Sequence, residues 1–256
     1  MKQFVLEPGS AACSADGEGR YRVSGTAFHY LVRVRRLGPG SRFSVLLDGR
    51  THEATVLEVG ASSACIQLFK RETPQPDAFS LDLQLWASLL KGRKLDEVVR
   101  QAGELGATVF QPVVSEHCVA RWEDEKPHAK LDRWKAIAKE AAQQSGAASV
   151  IDVRSPVSVQ EAVAGWGKKG PLLFFHQVPL VKASLHGYLS SRPSAVAVLV
   201  GPEGGFSERE TELLTAEGGS AVWFGPTVLR AETAGTAALA AVKILLLEQL
   251  EWTIPS

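Results

Sequence analysis

Two short apolar strands, each running into a glycine–proline loop, constrain this chain more than any other feature. They lie in residues 199–234, read LVGPEGGFSERETELLTAEGGSAVWFGPTVLRAETA with their flanks. The valine-rich run Ala195 to Val200 has the length of a buried parallel strand and is too short for a helix. It stops at Gly201-Pro202-Glu203-Gly204-Gly205, whose glycines permit backbone angles and close ligand approach that side chains forbid. Ser207, with Glu210 three residues on, predicts a capping box and a helix over Glu208 to Glu217, ended by Gly218-Gly219. A second strand, Ala221 to Phe224, then enters the loop from Gly225 to Ala234. Two such loops at the carboxyl ends of neighbouring strands mark where open α/β sheets bind ligands.

The rest of the chain divides in two. Arg42 to Leu47 and His52 to Val59 flank Asp48-Gly49, a hairpin signal, and Ala64 to Phe69 follows a break at Gly60. Residues 1–72 therefore read as a small β-rich module, a barrel, and Lys70 to Asp77, with Pro74 and Pro76, as the linker. Residues 73–256 alternate: strand Asp82 to Leu89, helix Lys94 to Leu105, strand Thr108 to Val114, helix Lys130 to Ser145 and strand Leu172 to His176 precede the two strands above. Alternation of this kind predicts a parallel α/β sheet. The last helix, Thr233 to Trp252, starts with small residues and turns bulky; its small face invites close packing and predicts a homodimer. Gly165 to Gly170 is a formal GxGxxG, but it follows a helical segment and precedes a strand. That is the reverse of a dinucleotide site, so it reads as a helix-to-strand turn.

Net charge is zero, so there is no global electrostatic case for nucleic acid; residues 1–72 carry ten Lys/Arg against seven Asp/Glu, which allows basic patches at most. Lys91, Arg93 and Lys94 open a helix against its dipole, which points to an external anion such as RNA phosphate. Arg33 and Arg35, expected on one face of a strand, together with Arg36 and with Arg133, Lys135 and Lys139, are further phosphate candidates. Cys13, Cys65 and Cys118 have no metal-ligand spacing, so no metal site is expected. Neither a signal peptide nor a spanning run is read; the longest apolar stretch, Ala234 to Leu247, carries Lys243. A cytoplasmic location without a membrane partner is expected.

GPEGGF and LRAETA, in this order and about two dozen residues apart, resemble the signature of the SPOUT-class 16S ribosomal RNA (uracil-N3)-methyltransferases. Lys91-Gly92-Arg93-Lys94 with Glu104-Leu105-Gly106, and Arg133-Trp134 with Gln143-Gln144-Ser145-Gly146, extend the resemblance across residues 85–250. It implies a PUA-like RNA-binding barrel followed by a SPOUT α/β domain tied in a trefoil knot, a homodimer, and ribosomal RNA of the small subunit as partner. It also implies S-adenosylmethionine, held by Phe175, His176, Val200, Gly201, Gly204, Gly205, Phe224, Gly225, Val228 and Leu229. Methylating N3 of uracil means losing a proton between two carbonyls and stabilising the anion. Arg230 suits the second task, and Glu203 or Glu232 the first or the orientation of Arg230. Two rivals stay open: methylation of another RNA atom such as a ribose 2′-oxygen, and a non-catalytic RNA-binding assembly factor. The chain departs from the family at Ala147, where an arginine is usual, and at Arg35, where a leucine is usual.

Overall fold

The computed structural model describes residues 3–7, 13–15, 19–48, 50–70, 81–122, 127–147, 149–180 and 183–249. These fall into two compact units, 1–77 with 142–150, and 78–141 with 151–256. The expected linker lies, after Lys70, outside the described residues, as does Gly49 of the hairpin turn.

The first unit is a six-stranded sheet built from β1 (Phe4–Val5), β2 (Cys13–Ala15), β3 (Arg20–Ser24), β4 (Arg42–Leu47), β5 (Arg50–Val59) and β6 (Ser63–Lys70), in the order β1-β4-β5-β6-β3-β2. Only β1–β4 is parallel. Alternate residues Phe43, Val45, Ala54, Val56, Ala64 and Ile66 face one core with Phe4, Val23 and Leu31, the inward half of the two-residue period. Residues 25–35 are not a strand. A short helix, α1 (Gly25–Phe28), continues as a π-helical turn, His29–Val34, which buries Phe28 and Leu31. Arg33 and Arg35 therefore do not share a strand face. Each guanidinium instead lies over a ring, Arg33 6.0 Å from Phe28 and Arg35 5.8 Å from Phe43.

The second unit is the α/β domain. Its strands are β7 (Asp82–Ser88), β8 (Val109–Val114), β9 (Asp152–Val153), β10 (Val157–Ser158), β11 (Leu172–Phe175), β12 (Ala195–Val200) and β13 (Ser220–Val222). All pair in parallel, in the order β10-β8-β7-β12-β11-β13, with β9 beside β8. Every residue of β12 is buried, as a central strand covered on both faces requires. The helices are α2 (Lys94–Glu104), α3 (Pro127–Ser145), α4 (Val159–Trp166), α5 (Leu185–Leu189), α6 (Glu208–Ala216) and α7 (Ala231–Leu247). Buried Leu95, Val98, Val99 and Ala102 line the apolar face of α2 at helical spacing. Capping boxes start α4 (Ser158, Glu161) and α6 (Ser207, Glu210).

The formal GxGxxG is the turn from α4 to β11. Gly167 is a left-handed cap at φ 60°, and a Cβ on Gly170 would sit 1.9 Å from the Ala195 carbonyl oxygen. The small face of α7 is used inside the unit. Ala238 is fully buried, and a Cβ on Gly235 would lie 3.6 Å from Leu85 and Val98. Within the unit this face packs on α2 and β7.

Candidate active site

The carboxyl ends of β11, β12 and β13 open onto one cavity of about 440 Å³. The parallel ladder puts Phe175 opposite both Val200 and Val222, so the three strand ends deliver their following residues to the same place. Phe175 and Phe224 stack at 4.6 Å between centroids and make an aromatic wall. The loop after β12 contributes Gly201, Pro202, Glu203, Gly205 and Phe206; the loop after β13 contributes Gly225 and residues 227–232.

The glycines of the first loop are required for three different reasons. A Cβ on Gly201 would meet the Phe206 ring at 3.3 Å, and one on Gly204 would meet the His117 Cβ at 3.1 Å. Only Gly205, at φ +70°, needs the left-handed region, as does Gly225 in the second loop at φ +96°. Gly204, expected with the cofactor group, is absent from the cavity lining, and the lack of a Cβ there leaves room for His117. His117 Nδ1 lies 3.2 Å from the carbonyl oxygens of both Gly204 and Gly205.

Lys94 joins the two loops. Its Nζ donates to Glu203 Oε1 at 2.8 Å and reaches Glu232 Oε2 at 3.5 Å, an ion-pair contact without hydrogen-bond geometry. The hydrogen bond from Lys94 holds the Glu203 carboxyl below the usual carboxylate range, and the same bond raises the Lys94 ammonium. Lys94 was expected on RNA phosphate; the structure puts it in the cavity wall, on carboxylates. Arg230 is the N-cap residue of α7, with its carbonyl accepting from Thr233 and Ala234. Its exposed side chain lines the cavity and has no ion-pair partner among the described residues, because Glu232 is turned to Lys94.

Val200, Gly201, Gly205, Phe175, His176, Phe224, Gly225, Val228 and Leu229 all line the cavity, together with Glu203, Arg230 and Glu232. The His176 ring is partly committed, since Nδ1 accepts from the Val178 amide at 3.2 Å. Gln177, Trp223 and Thr227 also line it. Gln177 continues the Phe175-His176 strand end expected to supply a third side of the pocket; Trp223 directly precedes Phe224 and Thr227 directly precedes Val228, which is the signal that would have found these two.

The basic candidates are scattered. Lys91 and Arg93 are exposed before α2. Arg133 is bound to Asp96, with Nε and Nη2 at 3.2 and 3.0 Å from Oδ1, an oxygen that also accepts from Trp134 Nε1. Arg33, Arg35 and Arg36 belong to the first unit. No group of three His, Cys, Asp or Glu side chains comes together among the described residues, and no described helix is long and apolar enough to cross a membrane.

Comparison with known proteins adds the lineage. A family profile for RNA methyltransferase domains matches residues 77–243, and one for RNA methyltransferase PUA domains matches residues 23–69. The chain is 33% identical to ribosomal RNA small subunit methyltransferase E of Synechocystis over 232 residues, covering 90% of this chain and 74% of that one. It is 31% identical to the Aquifex aeolicus protein of the same name, covering 79% and 85%. Among solved structures, the chain superposes on a ribosomal RNA small subunit methyltransferase E from Neisseria gonorrhoeae, bound to S-adenosyl methionine. The TM-score is 0.78, the identity 27%, and 96% and 98% of the two chains are covered.

Proposed function

Because the chain belongs to the ribosomal RNA small subunit methyltransferase E family, we propose that it transfers the methyl group of S-adenosylmethionine to N3 of a uridine in small-subunit ribosomal RNA. The observation that carries this reading is the cavity where three parallel strands end, walled by Phe175 and Phe224 and edged by Arg230, which has no ion-pair partner among the described residues.

The residues present fit the cofactor. Stacked Phe175 and Phe224 offer an apolar face to an adenine, and the loop backbone around Gly205 and Gly225 approaches without side chains. Glu232 also lines the cavity, with its Oε2 buried beside Lys94. When bound, the cofactor supplies an electrophilic methyl group on a sulfonium. The protein's part is placement and charge. Arg230 presents a rigid, always-protonated fork to the oxygens that gain charge as N3 loses its proton. Lys94 keeps Glu203 ionised and ties α2 to both loops, so the wall is braced before substrate arrives. Either carboxylate of the lining, Glu203 or Glu232, is available to take that proton or to orient Arg230.

We also read residues 73–256 as a SPOUT domain with a trefoil knot, supported by β12 lying between β7 and β11 and by α7 returning onto α2 and β7. We also read the chain as a homodimer, supported by the apolar side chains left exposed near the cavity, Trp223 and Val228, and by exposed Ile244 of α7. The chain acts in the cytoplasm, where its substrate is assembled. Modified-nucleoside mapping of small-subunit RNA from a deletion strain tests the activity. Loss of one 3-methyluridine is expected. Loss of a ribose methylation, or no change, refutes the assignment and favours one of the two rivals.

A further inference from the structure

We propose that His117 is a positioning residue that locks the glycine loop after β12 from the side away from the cavity, and so fixes the backbone that forms the cavity wall. The proposal rests on the reading of that cavity as a cofactor site. His117 stands in a turn directly after β8, closed by Cys118 N donating to the Ser115 carbonyl at 3.0 Å. From there Nδ1 lies 3.2 Å from two carbonyl oxygens, those of Gly204 and Gly205. Carbonyls only accept, so Nδ1 carries the proton.

Two further observations place the same turn in control of the loop. The Glu116 amide donates to Glu210 Oε1 at 3.0 Å, while Glu210 Oε2 accepts from the Ser207 amide at 3.0 Å. Adjacent residues of one turn thus grip the loop at its glycines and at the start of α6. Gly204 also leaves no Cβ between the loop and His117, where one would come within 3.1 Å.

The consequence follows from peptide geometry. A trans peptide points its carbonyl and its N–H in opposite directions. Holding the Gly205 carbonyl on His117 turns the Phe206 N–H away from it, and Gly205 and Phe206 line the cavity whereas His117 does not. The histidine therefore sets where the loop's backbone groups aim, without touching what binds there.

The test compares His117→Ala and His117→Asn with the wild-type protein. The Asn side-chain amide can donate from nearly the same place as Nδ1. S-adenosylmethionine affinity is measured by titration calorimetry, and amide hydrogen exchange of residues 201–207 on protein without cofactor. For His117→Ala the expected result is affinity weaker by roughly three- to tenfold, the scale of one or two exposed hydrogen bonds. Exchange in that loop should be faster, and Asn should restore both. Wild-type affinity and exchange in His117→Ala, or an Asn variant no better than Ala, would overturn the proposal. So would a general loss of stability in both variants with exchange rising throughout the fold. If the wild-type protein binds no S-adenosylmethionine, the functional reading fails, while loop exchange still decides whether His117 is a latch.

Discussion

Gly205 offers the most quantitative handle on the cavity, because strain and contact separate there. Its φ of +70° lies in the left-handed region, while a Cβ at that position would meet only the Gln177 side chain, at 3.6 Å, an ordinary van der Waals distance. Gly205→Ala therefore adds backbone strain without a clash, and that strain is about 1–2 kcal/mol for an L-residue with a Cβ. Where it shows depends on the loop. If the loop keeps its shape, the native state of the free protein is strained and the melting temperature falls by roughly 2–4 °C per kcal/mol. If the loop relaxes, the strain reappears on binding and weakens cofactor affinity by roughly five- to thirtyfold. The sum of lost stability and lost affinity is the conserved quantity.

Urea denaturation and calorimetric titration with S-adenosylmethionine measure the two parts. Asn, which tolerates the left-handed region, should cost less than Ala; Val, β-branched, should cost more. A summed loss below about 0.5 kcal/mol for Ala, or an Asn variant as impaired as Val, would refute the strain argument. Gly204 is the control. It has no positive φ, and a Cβ there would press on His117 at 3.1 Å, so an Asn substitution gives no relief at that site.

Other outcomes follow from the same geometry. Arg230→Lys should retain the fold and most cofactor affinity but slow single-turnover transfer to unmodified small subunits by roughly 10²–10³, because the fork is lost while the charge remains; near-normal transfer would make Arg230 a cap residue only. Glu203 is depressed by Lys94, so its contribution is lost only as pH falls through that lowered value; Lys94 is raised, so its contribution is lost only above its ordinary 10.5. The pair stays ionised from about pH 6 to 9, and a transfer-rate profile in that window should rise with loss of the N3 proton and show no inflection from this pair. An inflection that Glu203→Gln removes would contradict this. In the formal GxGxxG, Gly165→Ala should be neutral or stabilising by up to about 1 kcal/mol, since the position is helical and a Cβ there meets nothing within 4 Å. Gly170→Ala should be severely destabilising, because its Cβ would overlap the Ala195 carbonyl; a chemical melt of both variants decides it.

The α/β half was legible because its signals are local. Ala195 to Val200 is the full extent of β12, and the Ser207–Glu210 box starts α6 where the spacing placed it. The two-residue strands β9 and β10 were missed because they exist only as rungs on β8, and Asp152–Val153 and Val157–Ser158 are too short to show a strand period. The π-helical turn was misread as strand because the Val-Arg alternation there has a two-residue period; burial of Phe28 and Leu31 against the sheet overrides it. At the site, the loops were readable but the bonds between them were not. Lys94 meets Glu203 and Glu232, and His117 meets Gly204, across sequence gaps that only the folded topology closes. The pairing of Arg133 with Asp96, which sits on another helix, is a contact of the same kind.

The place of β12 also has a kinetic consequence. β12 is the strand that joins β7 to β11, yet more than a hundred residues separate the end of β7 from it in the chain. On a ribosome elongating at roughly 5–20 residues per second, the edge of β7 waits on the order of ten seconds for its neighbour. During that interval an apolar strand with unpaired N–H and C=O groups is open to solvent, the condition in which nascent chains pair wrongly with one another. Slower elongation lengthens the exposure. Yield of this protein in a cell therefore depends on translation rate and on early shielding of residues 82–88 as well as on the stability of the finished fold.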